Sequence, residues 1–254
     1  MKHEAPTLLV DTPGKSSTTQ KREVIGEREG ITLYHSEKPD LIIQEFREAS
    51  SGEHGKSSLS TQEIHALRND ISSYLFEYIE GFRIGTHFVS KFSTTAMVVK
   101  RTEMMPLIVR VYNSGSGSLF KRFGTKNNSA LEFPVIEHYF IGGRRGPQWI
   151  NEYHAYAFNL LTPEEYKQIN RIASKVNAVL RGLCDRRQLY IANLQLAFGK
   201  YKDQIILGDE LSPFTCHFWD VAQKGKTDQD RFLPDQDHAV DAFRELYGRL
   251  MLTV

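Results

Sequence analysis

A chain of 254 residues with a formal net charge of +1 has no general attraction for nucleic acid or an anionic membrane surface. Its 40% hydrophobic and 25% charged residues are ordinary for a globular protein, and its two cysteines, Cys184 and Cys216, are too few for a disulfide framework or a cysteine-rich metal site. No run of about 18 apolar residues occurs and no signal core opens the chain, so no membrane span is expected and a cytoplasmic location is.

Taken in order, residues 1–22 hold Pro, Gly, Ser, Thr and Lys in succession and are expected to form a disordered or loosely attached tail. Val24-Ile25 and Ile31–Tyr34, around Gly26 and Gly30, suggest a hairpin, and Leu41–Phe46 a further strand. Ser50–Ser60 is a polar loop. Ser60 and Glu63 form a capping-box pair for a helix with Ile64, Leu67, Ile71, Leu75 and Ile79 on one face, ended by Gly81. Phe88–Arg101 alternates as strands. Met97–Val99 and Leu107–Val109 flank Met104-Met105-Pro106 and are expected to pair or to meet at a hinge, with a domain boundary at about residue 103. Phe133–Phe140 is ambiguous, and Gly142–Pro147 is a loop with Arg144 and Arg145 solvated. Thr162, Pro163 and Glu165 announce a helix to about Leu183, with Tyr166, Ile169, Ile172, Val176 and Val179 as its buried stripe. Leu189–Phe198 and Gln204–Leu207 predict a hairpin turning at Gly199-Lys200, and Val240, Phe243, Leu246, Tyr247 and Leu250 mark a last helix. The class is α+β: a small β-rich N-terminal lobe with one helix at 23–103 and a larger mixed lobe at 104–254. Layouts of this kind bind ligands in the cleft between lobes.

The most informative stretch is Leu107–Gly124, LIVRVYNSGSGSLFKRFG. Its order implies strand, tight glycine-serine loop, then a helical turn. Glycines let backbone fold closely around a ligand, and amides at a helix start point at an anion. Ser116 and Ser118 add hydroxyls, Lys121 and Arg122 add charge, and Arg110 adds a planar cation suited to phosphate. The stretch reads as a phosphate cradle, or as a flexible surface loop carrying two solvated cations.

With a second stretch, Ile205–Asp220 (IILGDELSPFTCHFWD), this segment resembles SAICAR synthetase, the ATP-dependent ligase family of purine synthesis. The resemblance rests on Val109-Arg110, Gly117–Gly124, Leu207–Pro213, Trp219-Asp220 and Asp228–Phe232, in order over roughly Ile25–Leu250. It implies a two-lobed fold related to ATP-grasp enzymes. It also implies a ribonucleotide substrate, and ATP and Mg²⁺ as cofactors if the family chemistry is retained. Arg110, Ser116, Ser118, Lys121, Arg122, Asn193 and Gln195 are the expected substrate-binding residues, Asp209, Glu210 and His217 the expected catalytic ones, and Asp209 the expected metal ligand. Asn151-Glu152 and Asp230-Arg231-Phe232 also match. A homo-oligomer is allowed; nucleic acid and membrane partners are not expected.

The resemblance is uneven. Glu29 and Ile31 stand where the family carries phosphate-binding lysines. The family's DxKLEFG strand is here Asn193–Gly199, with Gln195 for its Lys and Ala197 for a metal-ligand Glu. Phe214 replaces an aspartate, His217 an arginine, Gln229 a lysine, and His54 an acidic loop residue. The expectation is therefore a relative repurposed for another step on a purine-type or imidazole ribonucleotide, such as one in a nucleoside-antibiotic pathway of the coformycin or pentostatin kind. The alternative is the family's own ligation of aspartate to the carboxylated imidazole ribonucleotide. A third is a non-catalytic nucleotide-binding protein. Cys216-His217 gives no thiol–imidazole pair, because neighbours on a strand face opposite ways. A histidine at 217 has the right pKa range for acid–base work.

Overall fold

The computed structural model describes residues 23–28, 30–47, 59–115, 117–124, 129–144, 146–221, 232–234 and 238–252. The expectations for the tail at 1–22, for Glu29, His54, Ser116 and Gln229, and for the Asp228–Arg231 part of the last motif fall outside these residues, as do most of the 50–60 loop and Arg145.

In the first sheet, strands β1 (Val24–Arg28), β2 (Ile31–His35), β3 (Leu41–Phe46), β4 (Phe88–Lys91) and β5 (Ala96–Lys100) lie in the order β1-β2-β3-β5-β4, all antiparallel. The sheet is buried at its centre, where β3 is covered on both faces, and exposed at its edge strand β1. The expected hairpin turns at Gly30, whose φ of 68° suits glycine. Helix α1 (Leu59–Glu80) buries Leu67, Ile71, Leu75, Phe76 and Ile79. It already includes Ser60, so the serine does not cap it; Gly81 does follow its last residue.

The second sheet has β6 (Glu103–Ser114), β7 (Ala130–Phe140), β8 (Gln148–Ile150), β9 (Leu189–Tyr201) and β10 (Gln204–Gly208) in the order β10-β9-β6-β7-β8. Strand β11 (Cys216–Asp220) pairs with β9. The ambiguous Phe133–Phe140 stretch thus lies in a long strand, β7. The chain passes from one sheet to the other between Lys100 and Glu103. Met97–Val99 and Leu107–Val109 do not pair, because each belongs to its own sheet. Short helices α2 (Gly117–Phe123) and α3 (Glu152–Ala157) follow β6 and β8, and α5 (Ala239–Met251) packs on α1.

Helix α4 (Pro163–Asp185) covers the apolar face of the second sheet. Thr162 accepts from the Glu165 amide, Glu165 reaches back to the Thr162 amide, and Pro163 takes the first turn, as expected. Glu165 also meets Lys200 of β9 at 2.5 Å, so the cap ties helix to strand. Ile169 and Val176 are buried as predicted, together with Ala173, Leu180, Leu183 and Cys184; Tyr166, Ile172 and Val179 pack half-buried beside them. One apolar cluster runs through both sheets, from Phe46, Ile71 and Val99 to Leu107, Val109, Leu194 and Phe198.

The β9–β10 hairpin does not turn at Gly199-Lys200. Lys202 and Asp203, at φ 48° and 63°, make the two-residue turn, and Gly199 stays paired with Ile206. Two left-handed residues match the right-handed twist of the strands. A Cβ at Gly199 would meet the Glu103 carbonyl at 3.1 Å, so glycine here serves close strand approach.

Within the apolar layer Asn113 of β6 and Asn177 of α4 exchange two amide hydrogen bonds, at 2.8 and 2.9 Å, and Asn113 also donates to the Ile191 carbonyl. Asn113 lies just before the glycine-serine loop, so this pair fixes the root of the loop. Asn113→Ala strands the Asn177 amide in the core, and a loss of about 1–3 kcal/mol is expected. Urea unfolding checks it. A change under about 0.5 kcal/mol would mean that Asn177 finds another partner.

A polar sheet face beside an arginine-capped aspartate

Period-two alternation puts Leu107, Val109 and Val111 of β6 into the core and turns Ile108, Arg110 and Tyr112 to the opposite face. The register carries this across the sheet. Arg110 lies between Glu137 of β7 and Gln195 of β9, and Tyr112 between Val135 and Asn193. Asn193 is followed outward by His217 of β11. Three segments far apart in sequence therefore bring together Arg110, Asn193, Gln195 and His217, all expected to be functional. The expectation that Asn193, Gln195 and Ala197 share a face also holds.

Arg110 Nε donates to Gln195 Oε1 at 3.2 Å, and its guanidinium lies 4.7 Å from the centre of the Tyr139 ring. The pairing is with a neutral amide, which leaves the arginine its charge. Arg122 differs. It clasps both oxygens of Glu137, at 2.5 and 2.6 Å, and Tyr139 donates to the same carboxylate. Burial, then Glu137, pushes the Tyr139 phenol well above its usual range, so it stays a donor. Arg122 is thus largely spent on fastening α2 to β7, and the cradle's charge falls to Arg110 and the exposed Lys121. The helical turn expected after the loop is present, but it opens at Gly117, so Gly117 and Ser118 belong to the helix and Ser114 to β6 rather than to the loop. The Asn193 amide lies 3.3 Å from His217 Nδ1, and Trp219 stands edge-on to the imidazole. Cys216 points into the core, and burial pushes its thiol up to about 12, so a nucleophilic role is excluded by environment as well as direction.

Asp209 follows β10, one residue past the Gly208–Ala197 pair. Its φ of 68° is unusual for a residue with a side chain and is held from two sides. Gln44 of β3 donates to its carbonyl at 2.9 Å, and Arg28 of β1 meets its carboxylate at 2.7 Å. Burial pushes the carboxyl up to about 6, and the Arg28 guanidinium pulls it back toward ionisation. The next carboxylate goes elsewhere. Glu210 is 4% exposed, receives Arg68 of α1 through both oxygens and accepts from Ser212 at 2.7 Å. Its geometry is that of a structural ion pair turned into the protein. Phe214, in the aspartate place, packs over Arg68 at 4.2 Å. Asn151 caps α3 by accepting from the His154 amide.

His87 lies against Gln44 in the same cluster. Burial, with Arg28 and Lys100 nearby, lowers its pKa to about 3, and burial lowers His138 of β7 to about 4. Above pH 6.5 both are neutral whether folded or unfolded, and neither affects stability. Below it the unfolded chain takes up protons that the folded chain refuses, so stability falls as pH drops from 6.5 toward 4 for His138 and toward 3 for His87. Chemical denaturation at pH 7 and pH 5 is expected to show a loss on the order of 1–2 kcal/mol per histidine. His87→Gln and His138→Gln should flatten the slope.

Comparison with known proteins decides the family. The SAICAR synthetase family profile matches residues 31–250. The chain belongs to the SAICAR synthetase family. It is 33% identical to the phosphoribosylaminoimidazole-succinocarboxamide synthase of Clostridium perfringens strain SM101 over 228 residues, 90% of this chain and 97% of that one. Against the Chlorobaculum parvum synthase the identity is 35%, covering 91% and 98%. Among solved structures, the Ehrlichia chaffeensis synthase superposes with a TM-score of 0.79 at 26% identity, over 91% of this chain and all of the other. A SAICAR synthetase in complex with ADP gives 0.78 at 31%, over 90% and 97%. These names speak for the ligase expectation over the repurposed one.

Within this SAICAR synthetase fold, three of the linking residues were not anticipated. Arg28, Arg68 and Glu137 each contact a predicted residue that lies elsewhere in the sequence. Magnesium does not fit the donor set. Asp209 is taken by Arg28, Glu210 by Arg68 and Ser212, and residue 197 is alanine. Among the described residues no group of three or more His, Cys, Asp or Glu is placed to hold a metal ion, and no helix is long and apolar enough to cross a membrane.

Proposed function

We propose that the chain is an enzyme acting on an imidazole or purine-type ribonucleotide, and that its reaction is the ATP-driven joining of aspartate to a ribonucleotide carboxylate. The observation that carries this is the group of half-buried polar side chains on one face of the second sheet. A charged Arg110 beside Gln195, and Asn193 beside His217, form one surface in a chain whose relatives bear the name of that synthase. An arginine hydrogen-bonded to an amide, with the carboxylate across the strand held by Arg122, suits a phosphate, and amides and an imidazole suit ribose hydroxyls and a heterocycle. The site for the nucleotide spans residues 104–254, and the N-terminal lobe at 23–103 closes the cleft from the other side.

The test is direct. Purified protein is supplied with ATP, magnesium, aspartate and carboxyaminoimidazole ribonucleotide, and phosphate release is followed with product. Turnover at an ordinary enzyme rate, on the order of 1–100 per second, supports the ligase reading. A second reading keeps the ribonucleotide and changes the chemistry. It is favoured by Ala197 in the place of a carboxylate and by Arg28 on Asp209. It predicts that the monophosphate binds while aspartate and ATP are not consumed. If no ribonucleotide binds at all, both readings fail.

A further inference from the structure

The contact between Arg28 and Asp209 crosses between the two sheets, and Gln44 holds both partners. Its amide nitrogen donates to the Asp209 carbonyl at 2.9 Å, and its Oε1 lies 3.5 Å from the Arg28 guanidinium. Arg28 is therefore a placed side chain, yet its contacts with Asp209 and Gln44 are both made by Nη2, and 37% of the side chain remains exposed, so the guanidinium has further donors to offer. Charge balance makes the arrangement intelligible. A divalent ion between two carboxylates is neutral overall, and so is one guanidinium on one carboxylate. Alanine at 197 removes the second negative charge, and Arg28 supplies the single positive charge that remains necessary.

We propose that Arg28 is the resident cation of the cleft, standing beside Asp209 where a divalent ion would otherwise sit, and that a nucleotide phosphate docks on its open N–H groups with no metal held by the protein. This rests on the ribonucleotide reading for its ligand. Arginine is well suited to such a position. It does not lose its proton, it meets carboxylate and phosphate in the same planar geometry, and it needs no second carboxylate.

Two measurements on the full chain test it. In the first, ADP is titrated calorimetrically with excess chelator and again with millimolar magnesium. The dissociation constant is expected to agree within about threefold, and Arg28→Met to weaken chelator-treated binding by about tenfold, with Arg28→Lys recovering part of the loss. A tenfold loss of wild-type affinity on chelation, or no ADP binding in either buffer, overturns the proposal. In the second, manganese is titrated without nucleotide and followed by electron paramagnetic resonance. The wild type is expected to bind none at millimolar concentration, and Arg28→Met/Ala197→Glu to gain a site. Manganese binding by the wild type overturns the proposal whatever the ribonucleotide assay shows, and failure of the ribonucleotide reading leaves this second result standing.

Discussion

Replacing Arg68 by alanine is expected to lower stability by about 3–5 kcal/mol, the largest single effect foreseen in the chain. The guanidinium and the Glu210 carboxylate are each 4% exposed and joined through both oxygens. Arg68 also lies under Phe46 and Phe214 and donates to the Gly30 carbonyl, so it holds α1, the β1–β2 turn and the segment after β10 in one cluster. Truncation leaves a buried carboxylate with Ser212 as a remaining neighbour, which is the costly half of a broken ion pair. For a chain of this size the melting temperature should fall by roughly 10 °C or more. The double change Arg68→Met/Glu210→Gln should cost far less than Arg68→Ala, since no unpaired charge is left. If it costs as much, packing against the two phenylalanines, and not the charge, is what Arg68 contributes.

Arg110→Ala should weaken binding of an imidazole or purine ribonucleotide monophosphate by roughly 10- to 150-fold, the equivalent of losing one charge-assisted hydrogen-bonding group. Its contacts with Gln195 and Tyr139 are modest, so far-ultraviolet dichroism and unfolding should change little. Arg110→Lys keeps the charge and loses the fork, and should fall between the two. Calorimetry with the monophosphate decides. An affinity within twofold of the wild type would remove Arg110 from the site and shift the phosphate toward Lys121.

Strands β2 and β3, α4 with its cap and the shared face of Asn193, Gln195 and Ala197 were legible from periodicity, because alternation and helical spacing are local; the division into two sheets and the long β7 were not, because strand pairing is set by distant segments. The β9–β10 turn was misplaced because glycine advertises a turn, whereas left-handed Lys202 and Asp203 do not. The site was half legible. Arg110, Asn193 and His217 stood in recognisable segments, but what pairs with each charge did not. Arg28 meets Asp209, Arg68 meets Glu210 and Arg122 meets Glu137 only because folding brings separate segments together. The substitution at 197 was visible as a lost carboxylate; the cation that meets Asp209 was not, because Arg28 reaches it only through the fold.

The Arg68–Glu210 pair also bears on how the protein is made. The partners are 142 residues apart, and the helix bearing Arg68 also rests on α5 at the end of the chain. At a synthesis rate of about 5–20 residues per second, Arg68 leaves the ribosome roughly 7–30 seconds before its carboxylate. During that interval the nascent N-terminal half carries a cation destined for burial, and Ile64 and Leu67 lack the Ala239 and Phe243 of α5 that later pack on them. Until residue 210 is made, Arg68 has no carboxylate to meet, so the cluster that joins α1 to the segment after β10 forms late in synthesis.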